Sequence, residues 1–419
     1  MGRSPTMMSP ETRLEWREAF GELWRRRLRS GLTLLGLIFG VGAIVAMEGI
    51  GEGSQREALR LVESMGLRNV IVERVEDPDR EREVRARSLG LSIADMRVAR
   101  NVIPGVRAVA AEKRIATYAA YSAFGESNAQ AVAISPAYLD LTSLKLEQGR
   151  LLRDGDDERL APVALLGHQA ARDLFPAGHA VGDSIKVNHV WLRVIGVLAD
   201  RDLAKDRFEG VQLTTDSNRI FIPLGTGSIR FRIGVLEDEL DRFMVALDDP
   251  DTLGPASRVL SALLRQRHGG IDDFRIVVPQ QLLRQNQATQ RIFSVVMGSI
   301  AGVSLLVGGI GIMNIMLANI LERRREIGLL RALGARRRDI VARFLREAVV
   351  VCSAGSLIGL VFGALLAYGI AAFAGWSVAW TPLSVIPSVV LCGLIGILFA
   401  VYPARQAASL EPIAALRDE

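Results

Sequence analysis

The hydrophobic pattern divides the chain into stretches that contain no charge and one long stretch that contains many. Ser30 to Met47 holds eighteen uncharged residues, Ile292 to Leu321 thirty, and Ala348 to Ala404 fifty-seven. A helix crosses a bilayer with about 20 apolar residues. The first two runs therefore predict one span each, and the third predicts two spans joined by a turn. Trp376, Trp380, Thr381, Pro382 and Pro387 place that turn, with the two Trp suited to a membrane interface.

Between the first and second spans, residues 51–290 contain no run apolar enough to cross, and their length suffices for a substantial core. The pattern there mixes two periods. Ser54–Met65 predicts a charged helix continuing from the first span, and Ser92–Val102 a helix stopped by Pro104-Gly105. Short β-branched runs predict strands at Asn69–Val75, Ala129–Ile134, Val163–Gly167, Ser184–Val187, Trp191–Val197, Arg219–Pro223, Phe243–Leu247 and Phe274–Val278. Gly254–His268 and Gln280–Arg291 predict helices, the latter leading into the second span. Upstream, Trp16, Ala19, Phe20, Leu23 and Trp24 form one stripe within Glu11–Trp24, an amphipathic helix suited to lie on the inner membrane surface.

Charge orients these spans. Arg25, Arg26, Arg27 and Arg29 precede the first span, and Glu322 to Asp339 follows the second with seven Arg against three acids. Basic flanks mark the cytoplasmic side. The first apolar run exceeds a signal peptide's core and no clear A-x-A site follows, so an uncleaved span with its N-terminus inside is expected. The expected fold is a membrane α-helical protein with four transmembrane helices and a large α+β extracytoplasmic (periplasmic) domain inserted between helices 1 and 2. The segments are 1–29 cytoplasmic, 30–50 span, 51–290 extracytoplasmic, 291–321 span, 322–347 cytoplasmic, 348–373 span, 374–383 outer turn, 384–404 span and 405–419 cytoplasmic tail.

Composition changes this picture little. Net charge is +5, from 47 Arg and 4 Lys against 46 acids. Much of the excess flanks the spans, which excludes nucleic acid as the favoured partner and leaves the lipid bilayer. Cys352 and Cys392 sit in apolar runs and read as packing residues. Gly36 and Gly40, Gly298 and Gly302, and Gly355, Gly359 and Gly363 have the spacing that lets helix backbones approach. Asn314 and Asn319 suit hydrogen bonds between helices.

Catalytic signals are missing. None of Lys113, Lys145, Lys186 and Lys205 follows a Gly, so no Walker A loop exists. The four His form no HExxH, and no GxSxG occurs. Asp154, Asp156 and Asp157 lack the remaining EF-hand ligands and read as a solvated hairpin. No Asp, Glu, Lys or Arg lies inside the second, third or fourth spans, where a path for polar solutes would keep such groups. The chain is expected not to be an enzyme, with no metal or cofactor of its own.

GGIGIMNIML, then ERRREIGLLRALGARRRDI, together with YPARQAASLEPIAALR near the end, resembles the FtsX-like, MacB-type permeases of ABC transporters. AISPAYLDLTSLKLEQGR, VALLGHQAARDLF, VGDSIKV and WLRVIGVLAD resemble that family's extracytoplasmic domain. The resemblance implies a β-rich subdomain, 113–235, inserted into an α+β one formed by 51–112 and 236–290. It also implies a short helix after the second span that docks on an ATPase. Glu322, Arg325, Glu326, Ile327, Gly328, Leu330, Arg331, Ala332, Leu333, Gly334 and Ala335 are the residues it assigns to that coupling, with Leu330 and Leu333 expected on one face. The implied partners are a separate ABC ATPase subunit, which would bind ATP and Mg, and a second copy of the chain or a paralogous permease. A membrane-fusion adaptor and an outer-membrane channel are further candidates. The implied role is efflux or extrusion from the outer face of the inner membrane by mechanotransmission. The alternatives are lipoprotein release or FtsX-like regulation of a cell-wall hydrolase.

Overall fold

A 39-residue helix, α1 (Arg27–Met65), opens the part of the chain described by the computed structural model, which covers residues 27–75, 88, 90–200, 207–208, 211–212, 216–231, 238–374 and 377–411. The expected helix at Glu11–Trp24, the cluster Arg25–Arg26 and Trp376 lie outside the described residues. Two compact units form, one from Ala58–Asn286 and one from the chain on either side of it.

The Ala58–Asn286 unit is built on a mixed sheet. After β1 (Asn69–Arg74) comes α2 (Ile93–Val102), fixed at its start by a capping box. The Ser92 side chain accepts from the Asp95 N–H, and the Asp95 carboxylate accepts from the Ser92 N–H. Next are β2 (Val106–Arg114), β3 (Ala120–Tyr121), β4 (Glu126–Ser127), β5 (Gln130–Ile134), α3 (Ala137–Leu141), β6 (Leu146–Gly149) and α4 (Asp154–Glu158). They are followed by β7 (Val163–Leu166), α5 (His168–Leu174), β8 (Ser184–Val187), β9 (Val190–Leu198) and a separate small pair, β10 (Arg207–Phe208) with β11 (Val211–Gln212). Then come β12 (Arg219–Pro223), α6 (Leu224–Arg230), β13 (Arg242–Leu247), α7 (Leu253–Arg267) and β14 (Phe274–Val277).

Among the described residues the main sheet has twelve strands in the order β14-β1-β13-β2-β5-β12-β7-β9-β8-β3-β4, with β6 also on β9. Pairing is antiparallel except for β5 with β12 and β7 with β9. The sheet continues without a break through Glu112 and Lys113 of β2, where the resemblance places a subdomain boundary. One face packs Ala99 of α2, Leu174 of α5 and Leu260 and Leu264 of α7 against Val70, Phe243 and Val245. The other packs Leu61 and Met65 of α1 and Tyr138 and Leu139 of α3 against Ile71, Ile134, Phe221 and Met244.

The second unit contains the N-terminal part of α1 and three further helices of 27 residues or more: α8 (Pro279–Glu322, from Gln287 on), α10 (Arg337–Ala374) and α11 (Pro382–Ala408). A nine-residue helix, α9 (Arg324–Ala332), lies between α8 and α10. Among the described residues, four helices are long and apolar enough to cross a membrane, at Leu34–Met65, Pro279–Glu322, Arg337–Phe373 and Val385–Ala408. Their shared interior is Leu37 and Val41 of α1, Leu305, Ile312 and Met316 of α8, Phe344 and Cys352 of α10, and Cys392 and Ala400 of α11.

Two expectations change. Pro387 lies inside α11 rather than in the turn before it. Trp380, half-buried, sets its ring edge-on to Tyr368 and donates its indole N–H to the Val45 carbonyl at 3.4 Å. The Asp154–Asp157 stretch is a one-turn helix, not a solvated hairpin. There the Asp156 carboxylate accepts two bonds from Arg150 at 2.6 and 2.9 Å. The Asp157 carboxylate accepts from the Gly225 N–H at 2.7 Å.

Candidate functional site

The charged segment after α8 folds as α9, and its two faces differ. Ile327 is 4% exposed and packs with Ile320, Ile340 and Ala404 in the interior of the long helices. Gly328 is buried beside it, and Leu330 and Ala335 are half-buried against the same cluster. Leu329 and Leu333, four residues apart, face outward at 54% and 78% exposure. Glu322, Arg325, Glu326 and Ala332 are also exposed, and Arg331 is half-buried. Leu330 and Leu333 therefore do not share a face. Three positions leave side chains about 60° apart on a helix, and here the border between interior and solvent falls within that arc, with Leu333 just past the helix's last residue.

The helix is stopped by backbone geometry. Gly334 has φ +99°, a conformation that costs a side-chain-bearing residue about 1 kcal/mol or more. Its N–H donates to the Arg331 carbonyl at 3.2 Å, and the Ala335 N–H donates to the Leu330 carbonyl at 3.0 Å. These two bonds are the Schellman pattern. On the other side, Arg323 Nη1 pairs with Glu347 Oε1 of α10 at 3.3 Å. The Asp339 carboxylate accepts from the Arg336 N–H at 2.9 Å, capping α10. The segment is thus a held element with an apolar stripe left uncovered, not a loose basic loop.

The glycines expected to pack helices fall into two groups. A Cβ on Gly36 would stand 3.0 Å from Gly308 Cα, one on Gly359 3.1 Å from the Ile38 carbonyl oxygen, and one on Gly363 2.5 Å from the Gly42 carbonyl oxygen. Gly40 and Gly355 meet Leu305 and Leu37 closely in the same way. Gly298 and Gly302 meet nothing within 4 Å beyond their own helix backbone, and Asn314 is exposed. The structure therefore brings five of the eight packing residues into one interior and leaves three on its outside.

The sheet unit holds charge where sequence reasoning expected only strands. Arg275, Glu73, Arg242 and Glu112 are register partners in turn across β14, β1, β13 and β2, an alternating row of the kind that stabilises a sheet. Arg242 and Arg275 both donate to Glu73, the latter at 2.9 Å. Glu112 is fully buried, 3.6 Å from both Arg242 and Arg219. Burial alone would push its carboxyl up, but Arg242, Arg219 and Arg114 outweigh that and hold it well below the usual carboxylate range.

A second cluster joins α2 to α7. His268 bonds Asp273 through Nδ1 at 2.6 Å and approaches Asp95 through Nε2 at 3.4 Å. Arg267 also reaches Asp95. Burial opposes charge on the ring, but the two carboxylates raise it to about 9. Among the described residues, no group of three or more His, Cys, Asp or Glu is placed to hold a metal ion.

Two family models match the chain: the MacB-like periplasmic core domain over residues 30–263 and the FtsX-like permease C-terminal over 298–412. The chain is 34% identical over 411 residues to the macrolide export ATP-binding/permease protein MacB of Bdellovibrio bacteriovorus, covering 96% of this chain and 61% of that protein. It is 31% identical over 404 residues to the pyoverdine export ATP-binding/permease protein PvdT of Pseudomonas syringae pv. tomato, covering 96% and 59%. It thus spans about three-fifths of the length of the curated relatives it matches. A crystal structure of the periplasmic region of MacB from Actinobacillus actinomycetemcomitans matches at 22% identity and TM-score 0.42, covering 54% of this chain and 95% of that one. With one model spanning residues 30–263 and a second most of the remainder, the chain belongs to the MacB-like, FtsX-like permease family of ABC transporters.

Proposed function

We propose that the chain is the permease of an ABC exporter whose ATPase is a separate polypeptide. Hydrolysis in that partner moves α9, the long helices carry the movement, and the Ala58–Asn286 unit, outside the inner membrane, extrudes substrate from its outer face. Both termini lie in the cytoplasm, with the segment boundaries expected from the sequence. The permease acts as a pair, with itself or a paralogue. An adaptor and an outer-membrane channel complete the path.

The observation that carries this reading is the two-faced α9. One face is anchored in the interior by Ile327 and Leu330, and the other presents Leu329 and Leu333. A helix held by one face and bare on the other can transmit force from whatever covers it. The relatives' names join ATP-binding to permease, which supports an ATPase as that cover.

The purified full chain should not turn over ATP, and turnover should appear with the cognate ATPase. Leu333→Asp or Arg331→Glu should weaken that association by roughly 30-fold, the size of a lost interface anchor of about 2 kcal/mol. Arg337→Glu should do much less. Sustained hydrolysis by the lone, contaminant-free chain would sink the separate-ATPase reading. Undiminished association in both α9 variants would remove α9 from the mechanism. Single cysteines at Ser143 and Ser257, in a background lacking Cys352 and Cys392, should react with an impermeant thiol reagent from outside. One at Ser409 should react only after the membrane is opened, and external labelling there would overturn the orientation.

A further inference from the structure

From Ala301 to Ile320, α8 leaves one narrow stripe uncovered. Val303, Leu306, Val307, Ile310 and Asn314 are exposed there, and every other residue of that stretch is buried or half-buried. Continued both ways, the stripe reads Phe293, Val296, Ile300, Val303, Val307, Ile310, Asn314, Leu317 and Leu321, in alternating steps of three and four positions. All of these are exposed except Leu317, which is half-buried. The residues of α8 that pack within the chain, Leu305, Ile312 and Met316 among them, lie on the other side. Each stands two positions from a stripe residue, a turn of about 200°.

Two features separate this stripe from a face that only meets lipid. The first is its period. Steps of three and four average 3.5 residues, the repeat that keeps one helix seam against a partner helix through a left-handed supercoil. Contact with lipid requires no period. The second is Asn314. Phe293, Ile300, Val307, Asn314 and Leu321 share the a position of that repeat, and Val296, Val303, Ile310 and Leu317 the d position. One Asn among otherwise apolar a positions fixes the register and the number of strands of a coiled coil. Its carboxamide carries two N–H donors and an accepting oxygen, and none of them is bonded among the described residues. Asn314 stands seven residues before the end of the uncharged run, about 10 Å along the helix axis. At that depth an amide facing lipid is costly.

Copies of one chain enter a bilayer in one orientation, so two α8 helices run parallel and set identical residues level. Asn then faces Asn, and each carboxamide donates to the other and accepts from it. We propose that α8 pairs with α8 of a second copy of this chain along this stripe, in register at Asn314. This contact deepens the pairing in the proposed function and rests on its membrane placement, and its partner is the chain itself rather than a paralogue.

The test uses the full chain in lipid vesicles, in a background lacking Cys352 and Cys392. Energy transfer between chains labelled at their C-termini reports pairing, and single cysteines oxidised with copper-phenanthroline report which face meets. Val307→Cys and Ile310→Cys should link two copies, and Gly298→Cys, exposed on the opposite side of α8, should not. Asn314→Val should lower the linked fraction at Val307→Cys by at least about threefold, the scale of one hydrogen bond between membrane helices. Asn314→Gln, which keeps the amide, should restore it. Chains that stay single overturn this contact and leave the pairing in the proposed function to a paralogue. Pairing without linkage at Val307 or Ile310 overturns the contact and leaves that pairing standing. Equal linkage at Gly298, as random collision gives, or linkage unchanged by Asn314→Val, overturns it as well.

Discussion

The long-helix unit and the sheet unit both exclude solvent from an interior, but with different materials. Among the described residues, the long helices bury Leu, Val, Ile and Ala, two cysteines and, as polar residues, Ser356 and Ser388. The sheet unit buries Glu73, Asp95, Glu112, Lys113, Arg219, Asp238, Arg242, His268 and Asp273. A spanning helix satisfies its backbone internally and gains little from apolar contact, since lipid is as apolar as leucine, so close approach over glycine does the joining. In water the apolar contact drives folding, and charge is tolerated inside once each group faces its opposite. Hence Gly363 sits against Gly42 in one unit while Glu112 sits between two arginines in the other.

The largest effect should come from breaking the charge row. Glu112→Gln leaves Arg219 and Arg242 facing no carboxylate on β2 and should cost about 4 kcal/mol, as removal of one buried partner does. Replacing Glu112, Arg219 and Arg242 together by apolar residues should cost far less. A denaturation series in which the triple variant is the worst would show that the row does not act as a unit.

Next is His268. Its folded value of about 9 lies above the unfolded value near 6.5. Its stabilisation is therefore complete below pH of about 6.5 and disappears as pH rises through about 9, on the order of 3 kcal/mol in all. His268→Gln should flatten the melting-point profile over that window. A profile of the same slope in the variant would assign the dependence to another group.

Gly363→Leu, which forces a side chain onto the Gly42 carbonyl, should destabilise the long-helix unit by about 2 kcal/mol, the usual cost of overpacking. Gly298→Leu, with open space at its Cβ, should leave the single chain as stable as the parent. A loss of assembly in that variant at unchanged stability would identify its face as one that meets another chain.

The smallest stability change belongs to α9. Leu333→Asp should shift stability by less than about 0.5 kcal/mol, while Ile327→Asp, on the same helix, should unfold its surroundings. Equal melting points for the two would dissolve the distinction between its faces.

These contrasts mark what the sequence made legible. Runs without charge announced the four long helices, because nothing else tolerates thirty consecutive uncharged residues. The helix from Ser92, ended by Pro104-Gly105, and the strands flanked by Gly and Asp were also legible, since their signals are local. β2 was not. Arg107, Glu112, Lys113 and Arg114 interrupt its alternation, and their partners come from strands far away in the chain. Similarly, the charge of the coupling segment was plain, but which of its leucines faced inward was not. Ile327 with Leu330 and Leu329 with Leu333 are both valid helical spacings, and only the interior cluster selects between them.

The order of the sheet also sets a timetable. β1 is among its first strands to be made, yet it lies between β13 and β14, and Glu73 meets Arg275 across 202 positions. At roughly 5–20 residues per second, β1 waits about 10–40 s on the ribosome before its neighbours exist. Its apolar run Val70-Ile71-Val72 is without strand partners for that interval, and closure of so long a loop makes the final pairing slow. A pause or truncation before Arg242 therefore leaves β1 with both edges open, and one between Leu247 and Phe274 leaves one edge open.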